Sequence, residues 1–302
     1  MSKLNINTAH NQERLEQVRT IINDLSEYWP LTLRQVFYQL VGQGICLNNR
    51  SQYQGLSQLL TQARIIGEIE WDCIEDRARR HIDLTGYIDG PKFIESEAEN
   101  VLNNYTRNLQ QTQENYIEIF VEKDALATLF RKVAERYCIS VTTCRGYISA
   151  DFVNKYKRRT MQNADRRPVV LYFGDFDPSG LNMSESLESR MLNDFNIPVN
   201  FIRPALNVKQ IEKYNLPHVD ADLKRGDSRA AKHVEKYGFL AVELDALKPP
   251  DLSDIIHRAI QKQLNIDAFN FEVERYTADI DRINRIRETC VKFMRRQAAD
   301  LF

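Results

Sequence analysis

Acidic side chains follow two apolar segments of this 302-residue chain, in a pattern that suits binding of a hard cation. Glu122 comes directly after the largely apolar residues 117–121, and Asp175 and Asp177 come shortly after residues 169–173. If the two segments are neighbouring strands, three carboxylates meet and repel one another, and some hold protons unless a cation is present. Oxygen ligands of this kind suit Mg²⁺, with Mn²⁺ as the alternative. The pattern predicts a metal site formed by Glu122, Asp175 and Asp177.

Each of these acids also has a simpler structural interpretation. Asp177 precedes Pro178 and could cap a helix that carries proline at its first position. Glu122 could belong to a polar turn together with Lys123 and Asp124. Two acidic strand ends in one sheet, at the edge where ligands bind, favour the metal site over these alternatives.

The elements that position these acids are predicted to form a doubly wound parallel α/β sheet. Strand-like segments near residues 117–121, 139–143, 169–173 and 199–202 alternate with helical segments. In such a sheet, ligands bind beyond the carboxyl ends of the strands, which is where the acids lie. The chain after this sheet is predicted to be mostly helical, with a long helix from about residue 268 to residue 298.

The first third of the chain predicts three amphipathic helices, over residues 10–28, 33–42 and 53–66, and a short strand at Ile69-Glu70-Trp71. Three helices followed by a small β wing are typical of a winged helix, which is a helix-turn-helix variant. A polar helix is expected from Glu95 to about Gln113. We therefore expect a winged-helix-like domain over residues 1–92, a connecting helix over residues 93–115, and the α/β domain with a helical C-terminal extension over residues 116–302.

Basic residues are clustered although the net charge is only −1. DNA binding depends on where the cations lie more than on their total. The richest cluster contains Lys155, Lys157, Arg158, Arg159, Arg166 and Arg167, and a second group contains Arg77, Arg79 and Arg80. Each group is either a DNA-contact surface or an ordinary solvated helix face.

Composition also limits the location of the protein. We expect no membrane span, because no apolar run approaches the length of about 20 residues that one requires. No secretory signal is expected from the polar N-terminal residues. The five cysteines lack Cys-x-x-Cys spacing, which favours a reducing cytoplasm, with nucleoid association if the protein binds DNA.

The acidic motifs resemble those of a known family. Residues 121–125, Val-Glu-Lys-Asp-Ala, and residues 174–180, Gly-Asp-Phe-Asp-Pro-Ser-Gly, resemble the two acidic motifs of toprim domains. In particular, they resemble those of the topoisomerase VI A subunit and of its relative, the meiotic double-strand-break transesterase. Gly146-Tyr147-Ile148-Ser149 resembles the glycine-centred loop of that family, and residues 242–247 resemble its late Glu-x-x-Ala-Leu-like segment. The resemblance spans about residues 31–260 and implies a toprim domain preceded by a winged helix.

The same family carries a catalytic tyrosine in the winged helix. Residues 32–38, Thr-Leu-Arg-Gln-Val-Phe-Tyr, resemble its motif, with Tyr38 at the reactive position and Phe37 in place of the tyrosine before it. The resemblance implies that Tyr38 attacks a DNA phosphodiester, that Arg34 binds the phosphate, and that Glu122 moves a proton. The alternative is that Tyr38 packs with Phe37 against the core.

Three functions follow from this resemblance. The first is Mg²⁺-dependent cleavage of double-stranded DNA by tyrosine transesterification. The second is a metal-dependent nuclease in which water attacks, as in relatives such as the Wadjet anti-plasmid nuclease subunit. The third is a DNA-binding module with an inactive toprim site. Cutting both strands implies a homodimer, and because no P-loop is present, strand passage would require an ATPase partner that resembles the topoisomerase VI B subunit.

Several further residues have open roles. Lys123 either contacts a DNA phosphate or forms a surface ion pair. Glu243 and Asp245 either add an acidic ligand or cap a strand. Within the first basic cluster, the expected DNA contacts are Lys155, Lys157, Arg158 and Arg159.

Overall fold

The computed structural model describes residue 6 and residues 8–75, 85–144, 146, 148–217, 219–220 and 228–302. The helices in this part of the chain are α1 (Ala9–Asp24), α2 (Leu33–Gly42), α3 (Arg50–Ile65), α4 (Gly90–Asn100), α5 (Ala127–Glu135), α6 (Ala150–Met161), α7 (Pro178–Ser189), α8 (Val208–Lys213), α9 (Ser228–Tyr237), α10 (Pro249–Gln261) and α11 (Ile266–Leu301). The strands are β1 (Asn115–Val121), β2 (Ser140–Thr143), β3 (Arg167–Phe173), β4 (Asn200–Ala205), β5 (Val219–Asp220) and β6 (Leu240–Ala241).

Four parallel strands form the main sheet in the order β2-β1-β3-β4, which confirms the predicted α/β class. The chain runs from β1 outward to β2 and then crosses back to place β3 on the other side of β1. Strand order therefore reverses between β1 and β3, and such a switch point is where α/β sheets bind ligands. The register pairs Val121 with Phe173, so the two strands end side by side.

Helices cover both faces of this sheet. On one face, Phe120 and Tyr172 pack with Tyr156 of α6 and Leu187 of α7 in a buried cluster. On the other face, the ring of Phe130 in α5 lies 4.8 Å from the ring of Phe173. The central strands are buried on both sides, which explains their largely apolar sequence.

The N-terminal helices agree closely with the predicted ones, and α2 starts with a Thr32–Gln35 capping box. The predicted strand at Ile69-Glu70-Trp71 is wrong. A 3₁₀ turn occupies Trp71–Cys73 instead, because Arg64 of α3 holds it in place. The Arg64 guanidinium lies 4.4 Å from the Trp71 ring, and its Nη2 donates to the carbonyls of Trp71 and Ile74. Residues 76–84, where a wing would continue, lie outside the described residues, as do Arg77, Arg79 and Arg80.

Contacts divide the chain into two units. The first, the sheet unit, joins Met1–Arg77 to Glu114–Gln263, so α1–α3 and the sheet belong together. The second, the helical arm, joins Ala78–Gln113 to Leu264–Phe302. Within the arm, α4 ends at Asn100. The prediction that this helix continues to about Gln113 is therefore wrong. Leu102 adopts a left-handed φ of 57°, which breaks the helical path.

The described residues contain no helix that combines the length and the apolar character required to cross a membrane. The five cysteines carry free thiols, and those of Cys73 and Cys144 are buried.

Candidate metal-binding site at the carboxyl ends of the strands

Glu122 and Asp175 lie next to each other at the switch point. Glu122 directly follows β1, and its backbone N–H donates to the carbonyl of Phe173 at 2.9 Å, which extends the ladder. Its side-chain Oε2 accepts a hydrogen bond from the backbone N–H of Asp175 at 3.0 Å. The adjacency of β1 and β3, on which the predicted site depends, is therefore present.

Asp175 is buried, and it also contacts a segment from much later in the chain. Phe176 and Val242 form an antiparallel bridge that holds residues 242–246 against the end of β3. Asp175 Oδ1 accepts from the backbone N–H of Leu244 at 2.7 Å. This contact brings Glu243 and Asp245 to the same edge of the sheet.

Asp177 caps α7, as its simpler interpretation predicts. Its Oδ1 accepts from the backbone N–H of Gly180 at 2.6 Å, and Pro178 occupies the first turn of the helix. Its half-buried carboxylate also raises the pKa of Glu122. Asp177 therefore caps the helix and lies beside the other acids at the same time.

Burial and the negative charges of neighbouring acids raise the pKa values at this edge of the sheet. Burial, together with the charges of Asp175 and Asp177, raises the pKa of Glu122 to about 7. Burial also raises the pKa of Asp175 to about 6, although Lys123 and the Leu244 N–H counteract the shift. A cation that binds here would relieve this unfavourable charge.

Two glycines leave space for the Glu122 carboxylate. A Cβ added at Gly174 would lie 2.5 Å from Glu122 Oε2. One added at Gly180 would lie 2.5 Å from the carbonyl oxygen of Asp175 and 3.2 Å from Glu122 Oε2. The two glycines of the segment Gly-Asp-Phe-Asp-Pro-Ser-Gly are therefore required sterically by the acids themselves.

Replacing Gly180 by Ala is expected to destabilise the protein by about 1–3 kcal/mol, because a backbone carbonyl must shift to admit the methyl group. Gly55→Ala in α3 is the matched control, since a Cβ there meets no atom within 4 Å. The control should be neutral or stabilise by up to about 1 kcal/mol, through helix propensity. Denaturant unfolding measures both changes, and equal effects would contradict the packing described for Gly180.

Lys123 is surrounded by carboxylates. Its Nζ lies 2.8 Å from Glu243 Oε2, 3.0 Å from Asp245 Oδ2 and 3.2 Å from Asp175 Oδ1. Burial acts against its charge, but Asp245, Asp175 and Glu243 outweigh this effect and raise the pKa of Lys123. Glu122, Asp175, Asp177, Glu243 and Asp245 together form what we call the acidic edge, and the Lys123 ammonium group is its counter-ion. Lys123 thus forms ion pairs, as one of its two expected roles required, but these pairs are largely buried and do not lie at the surface.

Arg34 and Tyr38 of α2 connect to the same edge through Glu243. Arg34 Nη1 lies 2.6 Å from Glu243 Oε2, and its side chain is 42% exposed. Tyr38 is only 6% exposed. Burial, and then the charge of the hydrogen-bonded Glu243, raise the pKa of Tyr38 well above its ordinary value. The structure thus places Tyr38 in the core beside Phe37, with ring centroids 5.7 Å apart.

An open cleft of about 620 Å³ lies over these residues. Its lining combines the start of α2 with the acidic strand ends and includes Thr32, Arg34, Tyr53, Glu122, Lys123, Gly146, Ser179 and Asp245. Gly146 belongs to the glycine-centred loop of the sequence motif, whereas Tyr147 of that loop lies outside the described residues. Asp245 Oδ1 is buried without a hydrogen-bond partner among the described residues, and such an atom favours a ligand or ion nearby.

Arg203 is a positioning residue that the sequence analysis did not identify. From β4, its guanidinium donates to the backbone carbonyls of Gly174, Asp175 and Gly180. Burial lowers its pKa. The available signal was an arginine directly after the apolar end of the strand predicted at residues 199–202, since a buried charge requires partners. Arg203 fixes the backbone that carries Asp175 and Asp177.

The basic residues of α6 are mostly engaged within the protein. Lys155 pairs with Asp151 on an exposed face, and Lys157 donates to the carbonyl of Phe195. Arg159 forms a bidentate pair with the fully buried Glu118 of β1. Arg158 is exposed. Arg159 therefore stabilises the sheet, and within this group Lys155 and Arg158 present the most exposed positive charges.

The donor chemistry of Glu122, Asp175 and Asp177 fits Mg²⁺, whereas their present spacing is not that of a formed site. The described residues contain no group of three His, Cys, Asp or Glu side chains placed to hold a metal ion. The contacts above use one oxygen of each carboxylate, and all three oxygens accept from backbone N–H groups. The raised pKa values of Glu122 and Asp175 and the unpartnered Asp245 Oδ1 support binding of a cation at this edge.

No family model matches this chain, and no curated protein matches its sequence. The candidate functions therefore depend on the contacts at the acidic edge and on the resemblance of its motifs.

Proposed function

We propose that this protein cleaves the phosphodiester backbone of DNA with the help of Mg²⁺ held by Glu122, Asp175 and Asp177. The observation that carries the proposal is the meeting of Glu122 and Asp175 at the switch point of a parallel sheet. Burial raises the pKa of both carboxyl groups there, and the charges of Asp175 and Asp177 raise that of Glu122 further. DNA as the substrate rests on the resemblance of the acidic motifs to toprim domains.

The side chains at the acidic edge have distinct parts in this reaction. Mg²⁺, when bound, neutralises charge on the phosphate and on the leaving oxygen. Glu122 lines the cleft and, as the resemblance implies, would also move a proton. Arg34 lines the cleft and is partly exposed, so its guanidinium can contact the phosphate while Glu243 orients it.

Water is the nucleophile that this geometry favours. A tyrosine must lose its proton to attack, and Tyr38 is buried against Glu243, whose negative charge opposes that loss. The hydroxyl of Tyr38 instead helps to hold Glu243 beside Arg34. We therefore assign Tyr38 a positioning role and keep tyrosine transesterification as the competing mechanism.

An incubation of labelled double-stranded DNA with the protein and Mg²⁺, followed by denaturation, tests the proposal. Free ends that require Mg²⁺ and disappear with EDTA support the nuclease. DNA that remains attached to denatured protein would support the transesterase. Absence of cleavage with Mg²⁺ and with Mn²⁺, combined with tight and salt-sensitive DNA binding, would support a DNA-binding module with an inactive site.

Replacing Tyr38 by Phe distinguishes the two enzymatic mechanisms. We expect Tyr38→Phe to retain cleavage within about fivefold of the wild-type rate, because it removes a hydrogen bond worth about 1 kcal/mol. The same gel assay measures the rate, and the products should carry no attached protein. Complete loss of cleavage in a variant of unchanged thermal stability would indicate that the hydroxyl is the nucleophile.

A two-strand cut also needs two acidic edges, so we propose that the active species is a homodimer. The ATPase partner that resembles the topoisomerase VI B subunit belongs only to the transesterase mechanism, in which strand passage follows cleavage.

A further inference from the structure

The helical arm has little apolar core of its own. Its longest element, α11, has 36 residues and a length of about 54 Å. Among the described residues of the arm, the buried hydrophobic side chains are those of Ala98 and Leu109. A unit of this size usually requires a larger core or an oligomeric contact for stability.

Polar contacts hold the arm together instead. Arg107 lies 2.7 Å from Glu272 and 2.8 Å from Asp279, and Arg295 pairs with Glu95 of α4. The side chain of Arg287 donates to the backbone carbonyls of Glu99 and Val101. These contacts occupy one side of α11.

Another side of α11 exposes an apolar stripe. Phe271 is 51% exposed, Ile286 56% and Phe293 62%, and Ala278 is also exposed. The intervals along the chain are seven, eight and seven residues. Intervals of seven or eight residues are close to two helical turns, so the four side chains share one side of the helix. A stripe of large exposed apolar residues indicates a protein contact.

The charge of α11 is divided between its two ends. Residues 266–283 contain five acids and two arginines, for a net charge of −3. Residues 284–301 contain five basic residues and two acids, for a net charge of +3. Glu272, Asp279 and Arg295 are paired within the arm, whereas Asp267, Glu274 and Asp281 in the first half and Arg285, Lys292 and Arg296 in the second half are exposed. These exposed charges complement a second copy of the helix that runs in the opposite direction and repel one that runs in the same direction.

We propose that α11 pairs antiparallel with α11 of a second copy of this chain, about a two-fold axis near residue 282. In this register Phe271 of one copy faces Phe293 of the other, and Ala278 faces Ile286. Exposed Asp267 comes close to Arg296, and exposed Asp281 comes close to Arg285. The contact is isologous, so each pair occurs twice. This inference is independent of the proposed DNA cleavage.

Sedimentation of the full-length chain tests the pairing through three charge-reversal variants. The first carries Arg285→Glu, Lys292→Glu and Arg296→Glu, and the second carries Asp267→Lys, Glu274→Lys and Asp281→Lys. Each should weaken the dimer at least about 100-fold, because like charges then face each other. The third combines all six substitutions and should dimerise again, which an antiparallel contact predicts.

Two further samples keep the test independent of misfolding. An equimolar mixture of the first two variants should form a heterodimer, which requires both to be folded. Phe293→Ser should weaken the dimer, whereas Leu47→Ser, at a 71% exposed site outside the arm, should not. A monomeric wild-type chain at about 100 µM, well above the Kd of a specific dimer, would overturn the proposal. So would dimers that persist in the first two variants, or a mixture of them that stays monomeric.

Discussion

Replacing Asp175 by Asn is expected to lower Mg²⁺-dependent DNA cleavage by about 1,000-fold, the upper range for loss of one charge-stabilising group in an active site. Asparagine keeps an oxygen that can accept from the Leu244 N–H, so the fold of residues 242–246 should persist. The substitution removes the negative charge that would face the cation. Initial rates of cleavage of a labelled duplex measure the effect.

Asp254→Asn is the matched control for this variant. Asp254 lies in α10, its side chain is 73% exposed, and it pairs at the surface with Arg258. The cleavage rate of the Asp254→Asn variant should equal that of the wild type. If Asp175→Asn cleaves DNA as fast as this control, the acidic edge is not the catalytic centre for DNA cleavage.

Lys123→Met is expected to cost about 3–5 kcal/mol of folding free energy, the range observed when one partner of a buried ion pair is removed. The Lys123 side chain is 15% exposed and the Asp245 side chain is fully buried. Without the ammonium group, Asp175, Glu243 and Asp245 would face one another uncompensated. Denaturant unfolding in EDTA measures the loss, and Mg²⁺ should restore part of it by replacing the missing positive charge.

Lys155→Met shows what a surface lysine contributes. Lys155 pairs with Asp151 on α6, and both side chains are more than 60% exposed. Its loss should cost less than about 1 kcal/mol. Equal costs for the two lysine variants would mean that Lys123 is not the counter-ion of the acidic edge.

Much of the sheet follows from local sequence, because the buried strands and their acidic ends are short-range patterns. Apart from Glu118, residues 117–121 and 169–173 are apolar on both faces, and the acids follow each strand within a few residues. The helices beside them also carry readable caps, such as Asp177 before Pro178. These features predicted the α/β class and placed Glu122 and Asp175 at one edge.

The partners of the acids could not be predicted in the same way, since they come from distant parts of the chain. Glu243 contacts Arg34 across 209 residues and Lys123 across 120 residues. Arg203 reaches the backbone of Asp175 from a strand that only the sheet order places nearby. No periodicity encodes such contacts, so the buried network around Lys123 emerged only from the structure.

The predicted wing and connecting helix show a second limit. Ile69-Glu70-Trp71 has the composition of a strand, but a cation–π contact and two hydrogen bonds from Arg64 fold the chain into a turn. The polar segment after Asn100 has helical composition, yet its contacts with α11 through Arg107 and Gln111 favour an irregular path. Tertiary contacts overrode local propensity in both segments.

Calorimetric titration with Mg²⁺ at pH 6 and at pH 8 tests most directly whether the acids bind a cation. Protons compete with the cation for Glu122 and Asp175, whose pKa values of about 7 and 6 make both largely ionised at pH 8. Binding should therefore be tighter at pH 8, should release protons near pH 6, and should vanish in Glu122→Gln. Undetectable binding of Mg²⁺ at pH 8, or binding that Glu122→Gln leaves unchanged, would contradict the proposed site.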